Sequence, residues 1–247
     1  MTACAADPPW TELPLDVTAA IMQRVGTKEI LQSVQKVCAT WREVCRNPVT
    51  WRVINIRNSD PLRARECNII CRCAVHRSQG QLIDLTMENF GDDDLIGHIA
   101  ERSSNLRRLT IACAGGLYNI LGTALTRAVT ELPTLEELHL LIPFYIDIGD
   151  LGSIGISCPM LKSFTFNRRF SQGNKDTLAI AENMPNLCHL RLFCNGLDND
   201  ELQAILDGCP HLKSLDLRRC RGVDLGGYNL NLRVIVSKLV YPVFDNV

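Results

Sequence analysis

Three cysteines and a histidine lie close together in the sequence, as Cys67, Cys71, Cys73 and His76. Thiolate and imidazole groups are the ligands that structural zinc prefers. On a helix, Cys67 and Cys71 share one face, whereas Cys73 points to nearly the opposite side at about 100° per residue. This spacing does not form a four-ligand cage, and we expect no metal ion here.

The common catalytic motifs are missing from the sequence. No Gly-x-Ser-x-Gly elbow occurs, and Gly149-x-x-Gly152-x-x-Gly155 lacks the Gly-Lys-Ser/Thr ending of a phosphate loop. No cysteine has a histidine at a spacing that indicates a catalytic pair. We therefore expect no catalytic residue and no cofactor.

Composition narrows the class of partner. The 247 residues carry 26 basic and 27 acidic side chains, a net charge of −1, which gives no bulk electrostatic reason to bind nucleic acid or an anionic membrane. The N-terminus lacks the pattern of a signal peptide, and no run of 18 apolar residues occurs. We expect a location in the nucleus, the cytoplasm or both, with the 12 cysteines reduced.

The elements that position these side chains come from a repeat. The pattern Leu-x-x-Leu-x-Leu recurs six times between residues 82 and 217, at intervals of about 26 residues, which is typical of leucine-rich repeats. The anchors are Leu82/Leu85/Met87, Leu106/Leu109/Ile111, Leu135/Leu138/Leu140, Leu161/Phe164/Phe166, Leu187/Leu190/Leu192 and Leu212/Leu215/Leu217.

Each repeat also carries start and stop signals for its helix. Acidic or Asn/Asp residues precede helical apolar spacings, as at 92–94 and 198–200, and Pro133, Pro159, Pro185 and Pro210 stand two residues before an anchor. The unit is therefore strand, loop and helix. We predict an α/β fold in which a leucine-rich-repeat solenoid with a parallel concave sheet follows a helical N-terminal domain.

In such a sheet the residues between the anchors face the concave surface, which is the natural binding site. The candidate contact residues are Arg108, Glu137, His139, Thr165, His189, Arg191, Phe193, Asp216 and Arg218. We predict a hot spot at Phe193 beside Arg191 and Arg218, since aromatic and arginine side chains dominate interface energies. The alternative is a merely solvated sheet. His139 and His189 would lie about 10 Å apart, too far to share a zinc ion.

The first fifty residues have a different pattern. Val17, Ile21, Met22 and Val25 predict a short amphipathic helix that ends at Gly26. A second apolar stripe continues from Ile30 to Cys45 and predicts another helix, which ends near Pro48. This segment makes only a small core, so a partner or the next domain is expected to complete it.

The string Leu13-Pro14-x-Asp16-Val17, followed by Val37-Cys38-x-x-Trp41-Arg42-x-x-Cys45 and Pro48-x-x-Trp51, resembles an F-box, the adaptor-binding motif of SCF-type ubiquitin ligases. With the repeats, the chain resembles the F-box/LRR family, particularly its short plant members, over residues 10 to about 223. The resemblance implies an F-box helical domain at 8–55, a linker helix at 56–80, about six repeats at 81–225 and an irregular tail at 226–247.

In that family the F-box docks on the small adaptor that links it to the cullin scaffold, and the repeats hold the substrate. The resemblance therefore implies a non-catalytic substrate receptor that marks a protein target for ubiquitination and proteasomal degradation. By position, the adaptor surface would comprise Leu13, Pro14, Val17 and Ile21, with Val37, Trp41 and Trp51 supporting or extending it. We expect Leu13 and Pro14 to face the adaptor and Trp41 to pack in the core.

Three alternatives remain at this level. The N-terminal helices could merely cap a free-standing leucine-rich-repeat scaffold. A helix-turn-helix DNA reader would need a basic recognition helix, but Lys28, Lys36 and Arg42 are interleaved with Glu29 and Glu43. An enzyme of unknown type is the third.

The apolar stretch from Leu230 to Phe244 has no clear seventh repeat and is either an irregular edge strand over the last repeat or a divergent end.

Overall fold

Helices and strands alternate along most of the chain, as the repeat requires. The structure, a computed structural model, describes residues 13–113, 122–141, 151–167, 175–193, 197–218, 220 and 233–235. The helices are α1 (Leu15–Val25), α2 (Thr27–Gln32), α3 (Ala39–Val44), α4 (Ala64–Ser78), α5 (Asp93–Arg102), α6 (Gly122–Thr130), α7 (Leu151–Ser157), α8 (Lys175–Asn183) and α9 (Asn199–Gly208), with 3-10 turns at Val34–Lys36, Pro48–Trp51 and Pro61–Arg63. The strands are β1 (Val53–Arg57), β2 (Asp84–Glu88), β3 (Arg108–Ala112), β4 (Glu137–Leu141), β5 (Ser163–Asn167), β6 (His189–Phe193), β7 (Ser214–Asp216) and β8 (Arg233–Ile235).

The strands form one open parallel sheet in sequence order, β1 to β8. Equivalent residues of successive repeats pair directly, so that Leu85 lies beside Leu109 and Leu109 beside Leu138. Apart from half-buried Leu212, all the predicted anchors are buried in one continuous core. The predicted α/β solenoid is confirmed, and it arises because each repeat can bury its apolar face only against its neighbours.

The sheet begins earlier than the leucine pattern indicates. Strand β1 pairs with β2, and Ile54 and Ile56 are buried beneath it in the positions of the second and third anchors. Trp51 takes the place of the first anchor, so the first unit reads Trp-x-x-Ile-x-Ile. Strand β1 spans the predicted boundary at residues 55 and 56, and the helix predicted for the linker is α4. The domain boundaries themselves stay a prediction.

Acidic caps start helices α5 and α9, as predicted. The Asp92 carboxylate accepts the backbone N–H of Leu95 at 2.7 Å at the start of α5. Asp198 and Glu201 form a reciprocal capping box at α9, with bonds of 2.9 and 3.0 Å. These bonds satisfy amide groups that a helix leaves free at its first turn.

Cysteines at one repeat position link neighbouring units. Cys158 and Cys209 are both buried in the core. Their thiols lie against backbone carbonyls of the preceding repeat, with Cys158 Sγ 3.5 Å from Val129 O and Cys209 Sγ 3.6 Å from Met184 O. A small side chain with a weak donor fits a position where helix ends from two repeats meet.

At the C-terminal end, β8 pairs with β7 over residues 233–235. This contact fits the edge-strand form of the predicted tail, whose other residues lie outside the described part of the chain. Trp10, Gly149 and Asn195 also lie outside it. Within the described residues, no helix combines the length and apolar character needed to cross a membrane.

Candidate functional site

Helix α1 presents an apolar stripe to solvent. Val17, Ile21 and Val25 are spaced four residues apart, so they lie along one side of the helix, and all three are exposed. The adjacent stripe, Thr18 and Met22, is buried. Helix α1 thus packs on the molecule with one side and leaves a second apolar side without a cover among the described residues.

Two further parts of the predicted adaptor surface are also accessible. Val37 is 52% exposed, directly before α3, which packs against α1. Pro14 is exposed at the start of α1, where its carbonyl accepts the N–H of Thr18 at 2.9 Å, and Leu13 is half-buried. We call Leu13, Pro14, Val17, Ile21, Val25 and Val37 the N-terminal apolar surface. The sequence reasoning did not assign Val25 to it, although its spacing of four residues from Ile21 carried the signal.

The two described tryptophans serve the interior instead. Trp41 is half-buried against the core, as expected, although its indole N–H has no partner among the described residues. Trp51 is only 1% exposed, and its indole N–H donates to the carbonyl of Cys45 at 2.9 Å. Because this side chain is the first anchor of the solenoid core, Trp51 cannot extend the adaptor surface by direct contact, and its supporting role stays a prediction.

Arg77 of α4 fastens the N-terminal helices to the repeats. Its guanidinium carbon lies 5.4 Å from the Trp51 ring centroid. Both terminal nitrogens donate to the side-chain oxygen of Gln35 at 3.2 Å, and one also reaches the Cys45 carbonyl at 3.5 Å. A cation over an aromatic face with bonds to two other segments holds all three in one arrangement.

The concave side carries polar side chains in two paired rows. The first row runs Asp84, Arg108, Glu137, Ser163, His189 and Ser214 across β2 to β7, and the second runs Thr86, Thr110, His139, Thr165, Arg191 and Asp216. The predicted contact residues thus share one face. Phe193 belongs to a third row, two residues further along the strands, and its side chain lies outside the described part of the chain.

Neighbouring strands neutralise several of these charges. Arg108 binds Asp84 at 2.8 Å, and Arg57 on β1 binds Glu88 at 3.2 Å. His189 Nδ1 lies 2.7 Å from the Ser214 hydroxyl. Arg191 is exposed and makes no ion pair with the described residues, which leaves a positive charge available on β6.

His139 sits beside this charge. Its Nδ1 lies 2.8 Å from the Thr165 hydroxyl and its Nε2 lies 3.6 Å from the Glu137 carboxylate. Burial lowers the pKa of His139, the Glu137 carboxylate opposes this, and Arg191 adds to the lowering. The imidazole is therefore neutral near pH 7 and acts as a hydrogen-bonding group.

Two candidate residues are less accessible than the register predicts. Thr165 is 3% exposed and its hydroxyl contacts His139 Nδ1, and Asp216 is 5% exposed because the Arg218 guanidinium covers it with bonds of 2.8 to 3.0 Å. These two positions are therefore not exposed as the register predicts, and their role as contact residues stays a prediction. Thr165 and Asp216 orient His139 and Arg218.

The cysteine cluster of α4 is divided between two environments. Cys67 and Cys71 are fully buried on one side of the helix, and Cys73 is half-buried. Burial raises the pKa of Cys71 to about 12, which keeps the thiol protonated and a poor metal ligand. The described residues contain no group of three or more His, Cys, Asp and Glu side chains placed to hold a metal ion.

Comparison with known proteins identifies the family to which this chain belongs. An F-box-like family model matches residues 10–57. The chain is 41% identical over 227 residues to "Putative F-box/LRR-repeat protein 9" of Arabidopsis thaliana, and the match covers 88% of this chain and 90% of that protein. The chain belongs to the F-box/LRR-repeat family.

Other family relatives are longer. "Putative F-box/LRR-repeat protein 23" of Arabidopsis thaliana is 44% identical over 227 residues, covering 88% of this chain, but the F-box/LRR chain spans only 49% of that protein. A chain in the crystal structure of the Rad7 and Elc1 complex in yeast shares the fold, with a TM-score of 0.53 at 12% identity, over 90% of this chain and 65% of that one.

Proposed function

We propose that this F-box/LRR protein is a non-catalytic substrate receptor of an SCF-type ubiquitin ligase. Its N-terminal helices dock on the small adaptor subunit and, through it, on the cullin. Its repeats bind a protein target for ubiquitination and proteasomal degradation. Family membership supports this proposal, and the N-terminal apolar surface is the observation that carries it.

The docking step depends on exposed apolar side chains in the segment that matches the F-box-like model. Val17, Ile21 and Val25 lie along one side of α1, and Val37 lies next to α3. Each fully buried aliphatic side chain contributes roughly 1.5 to 3 kcal/mol of transfer free energy. A partner that covers this surface would gain from several such side chains together, as interface cores do.

Target binding is assigned to the concave face of β3 to β7. Arg191 offers a cation that makes no ion pair with the described residues, while His139 and His189 offer hydrogen-bonding groups held by Thr165 and Ser214. Such prearranged side chains lose little rotamer entropy when a partner binds. The specificity of the receptor would then depend on these rows and on residues of the third row.

Catalysis by proximity needs no bond-making residue in this chain. The adaptor end is held by the ligase and the repeat end holds the target, so lysines of the target meet activated ubiquitin at a raised local concentration. The rigid connection through Arg77 and Trp51 would preserve the geometry between the two ends.

Adaptor binding tests the proposal. We would titrate a purified SCF small adaptor with the wild type and with Ile21→Asp, which places a carboxylate on the N-terminal apolar surface. We expect the variant to bind about thirtyfold more weakly, the scale of losing one interface hot spot. Leu178→Asp is the matched control, because Leu178 on α8 is 41% exposed and Ile21 is 37% exposed.

Equal binding by both variants would place the adaptor elsewhere. An absence of binding by the wild type would overturn the receptor role and favour a leucine-rich-repeat interaction scaffold. Reconstituted ligase with a bound target would then test the second half of the proposal. Residence in the nucleus, the cytoplasm or both stays a prediction.

A further inference from the structure

An open groove of about 660 Å³ lies where the chain enters β5, β6 and β7. Its lining includes Pro159, Met160, Lys162, Cys188, His211 and Lys213. These residues precede the strands, so the groove is separate from the polar rows of the concave face. It is also several repeats away from α1 and the N-terminal apolar surface.

The backbone fixes the spacing of the two lysines. The N–H of Cys188 donates to the Lys162 carbonyl at 2.8 Å, and the N–H of Lys213 donates to the Cys188 carbonyl at 2.7 Å. Lys162, Cys188 and Lys213 therefore lie side by side at equivalent positions of three adjacent strands. Adjacent strands lie about 4.8 Å apart, which places the two lysine backbones about 10 Å from each other.

Positive charge is concentrated along this edge of the sheet. The residues directly before strands β1 to β7 are, in order, Arg52, Ile83, Arg107, Glu136, Lys162, Cys188 and Lys213. Four cations stand there against one carboxylate, although the whole chain has a net charge of −1. Segregation of this kind creates a local potential that attracts anionic partners.

Ion pairs neutralise only part of the positive charge at the groove. Glu136 is shared, since it lies 3.4 Å from Arg107 and 3.2 Å from Lys162. Lys213 and His211 are exposed and make no ion pair with the described residues. The described lining of the groove contains no carboxylate, so an anionic ligand would meet Lys213 without a competing negative side chain, whereas at Lys162 it would compete with Glu136.

The groove also has an apolar component. Met160 is 46% exposed and lies with Pro159, Pro210 and Leu212 in the lining. Methionine adapts its shape to apolar ligand groups. The lining thus combines cations on both sides of Cys188 with an accessible apolar surface, which suits a short extended peptide better than a free anion.

We propose that this groove binds an extended acidic segment of a partner protein, with carboxylates at the two lysines and an apolar side chain against Met160. Extended chain advances about 3.3 Å per residue, so three to five residues span the distance between the lysines. The site goes beyond the proposed receptor function and does not depend on adaptor binding. It adds a second contact surface whose preference is set by charge.

The test uses the full chain and a fluorescein-labelled peptide, Asp-Glu-Leu-Asp-Glu, in a fluorescence anisotropy titration. We expect the wild type to bind it and Lys213→Glu to bind about tenfold more weakly, because one ion pair is replaced by a repulsion. Lys175→Glu is the matched control: it changes the net charge equally at the exposed start of α8 and should bind like the wild type.

A reversed peptide sharpens the result. Lys-Lys-Leu-Lys-Lys should bind Lys213→Glu better than the wild type, which a simple loss of folding cannot produce. Absence of wild-type binding to the acidic peptide would overturn the proposal. Equal weakening by Lys213→Glu and Lys175→Glu would also overturn it, since it would show only bulk electrostatics. Adaptor binding by Lys213→Glu should stay unchanged, which separates this test from that of the receptor function.

Discussion

Buried thiols make this protein sensitive to alkali. Burial raises the pKa of Cys113, Cys158 and Cys209 from 9.0 to about 11 and that of Cys71 to about 12. The folded state therefore keeps protons that the unfolded state releases above about pH 9. The unfolded state thus binds fewer protons than the folded state in that range. The stabilisation from the protonated thiols is therefore fully present below pH 9 and is lost as pH rises towards 11.

The predicted loss is roughly 1.4 kcal/mol per pH unit for each such thiol. Urea unfolding of the reduced protein at pH 8 and at pH 10 measures it. In the double variant Cys158→Ala/Cys209→Ala, two of the four thiols are gone, so the decrease caused by thiols should be about halved. All other titratable groups are the same in both proteins, so their contributions cancel in the comparison. A pH dependence identical to that of the wild type would contradict this origin.

At the same scale, the sequence predicts which face a residue occupies but not how far its neighbours cover it. Thr165 and Asp216 stand in the rows that the register assigns to them, yet both are buried in contact with His139 and Arg218. Coverage depends on the rotamers of long side chains in adjacent strands. Trp51 shows the related difficulty that an F-box position and a solenoid anchor can be one residue.

Among the elements, two glycines lie where helices of neighbouring repeats pack tightly. A Cβ atom added at Gly208 of α9 would lie 2.1 Å from the Ala181 carbonyl oxygen of α8, and one at Gly155 of α7 would lie 2.5 Å from the Asn183 carbonyl oxygen. The obstacles are backbone atoms, which cannot rotate away. Neighbouring helices therefore depend on glycine at these crossings.

We predict that Gly208→Ala and Gly155→Ala each lower the free energy of unfolding by roughly 1 to 3 kcal/mol, the usual cost of overpacking. Gly97→Ala in α5 is the control, because a Cβ there meets no atom within 4 Å. That variant should be neutral or stabilised by up to about 1 kcal/mol through helix propensity. Chemical denaturation measures all three, and a loss in Gly97→Ala equal to the others would show that packing is not the cause.

Regular elements were predictable because each anchor repeats one physical requirement. Leucine or another large apolar residue at three fixed positions predicted β2 to β7, and acidic caps predicted the starts of α5 and α9. Strand β1 was missed because tryptophan and isoleucine replace leucine in Trp51-x-x-Ile54-x-Ile56 and because the F-box pattern covers the same residues. Strand β8 was not predicted with its register because its sequence contains no Leu-x-x-Leu-x-Leu pattern. The groove at β5 to β7 was missed because its lysines follow no motif and meet only when the strands are stacked.

At the scale of the whole molecule, the F-box helices and the repeats share a core. Trp51 belongs to the F-box pattern and also anchors the first solenoid unit, while Arg77 of α4 bonds to Gln35 of the N-terminal segment. The Thr27 hydroxyl also accepts the N–H of Asn55 in β1 at 3.2 Å. Since these contacts cross between the two parts, one part cannot unfold without exposing apolar surface of the other.

All three tryptophans, residues 10, 41 and 51, lie in the N-terminal segment, whereas most helices lie in the repeats. Tryptophan fluorescence therefore reports the F-box together with the first solenoid unit, and far-ultraviolet circular dichroism reports mainly the later repeats. For a shared core, the two signals should change at the same urea concentration.

Arg77→Ala should remove roughly 2 kcal/mol of cation and hydrogen-bond energy and move the fluorescence transition to lower urea than the dichroism transition. Arg65→Ala, an exposed change on the same helix, should leave both transitions together. Separate transitions in the wild type would mean that the F-box is an independent domain, and the adaptor surface would then have no fixed orientation towards the target.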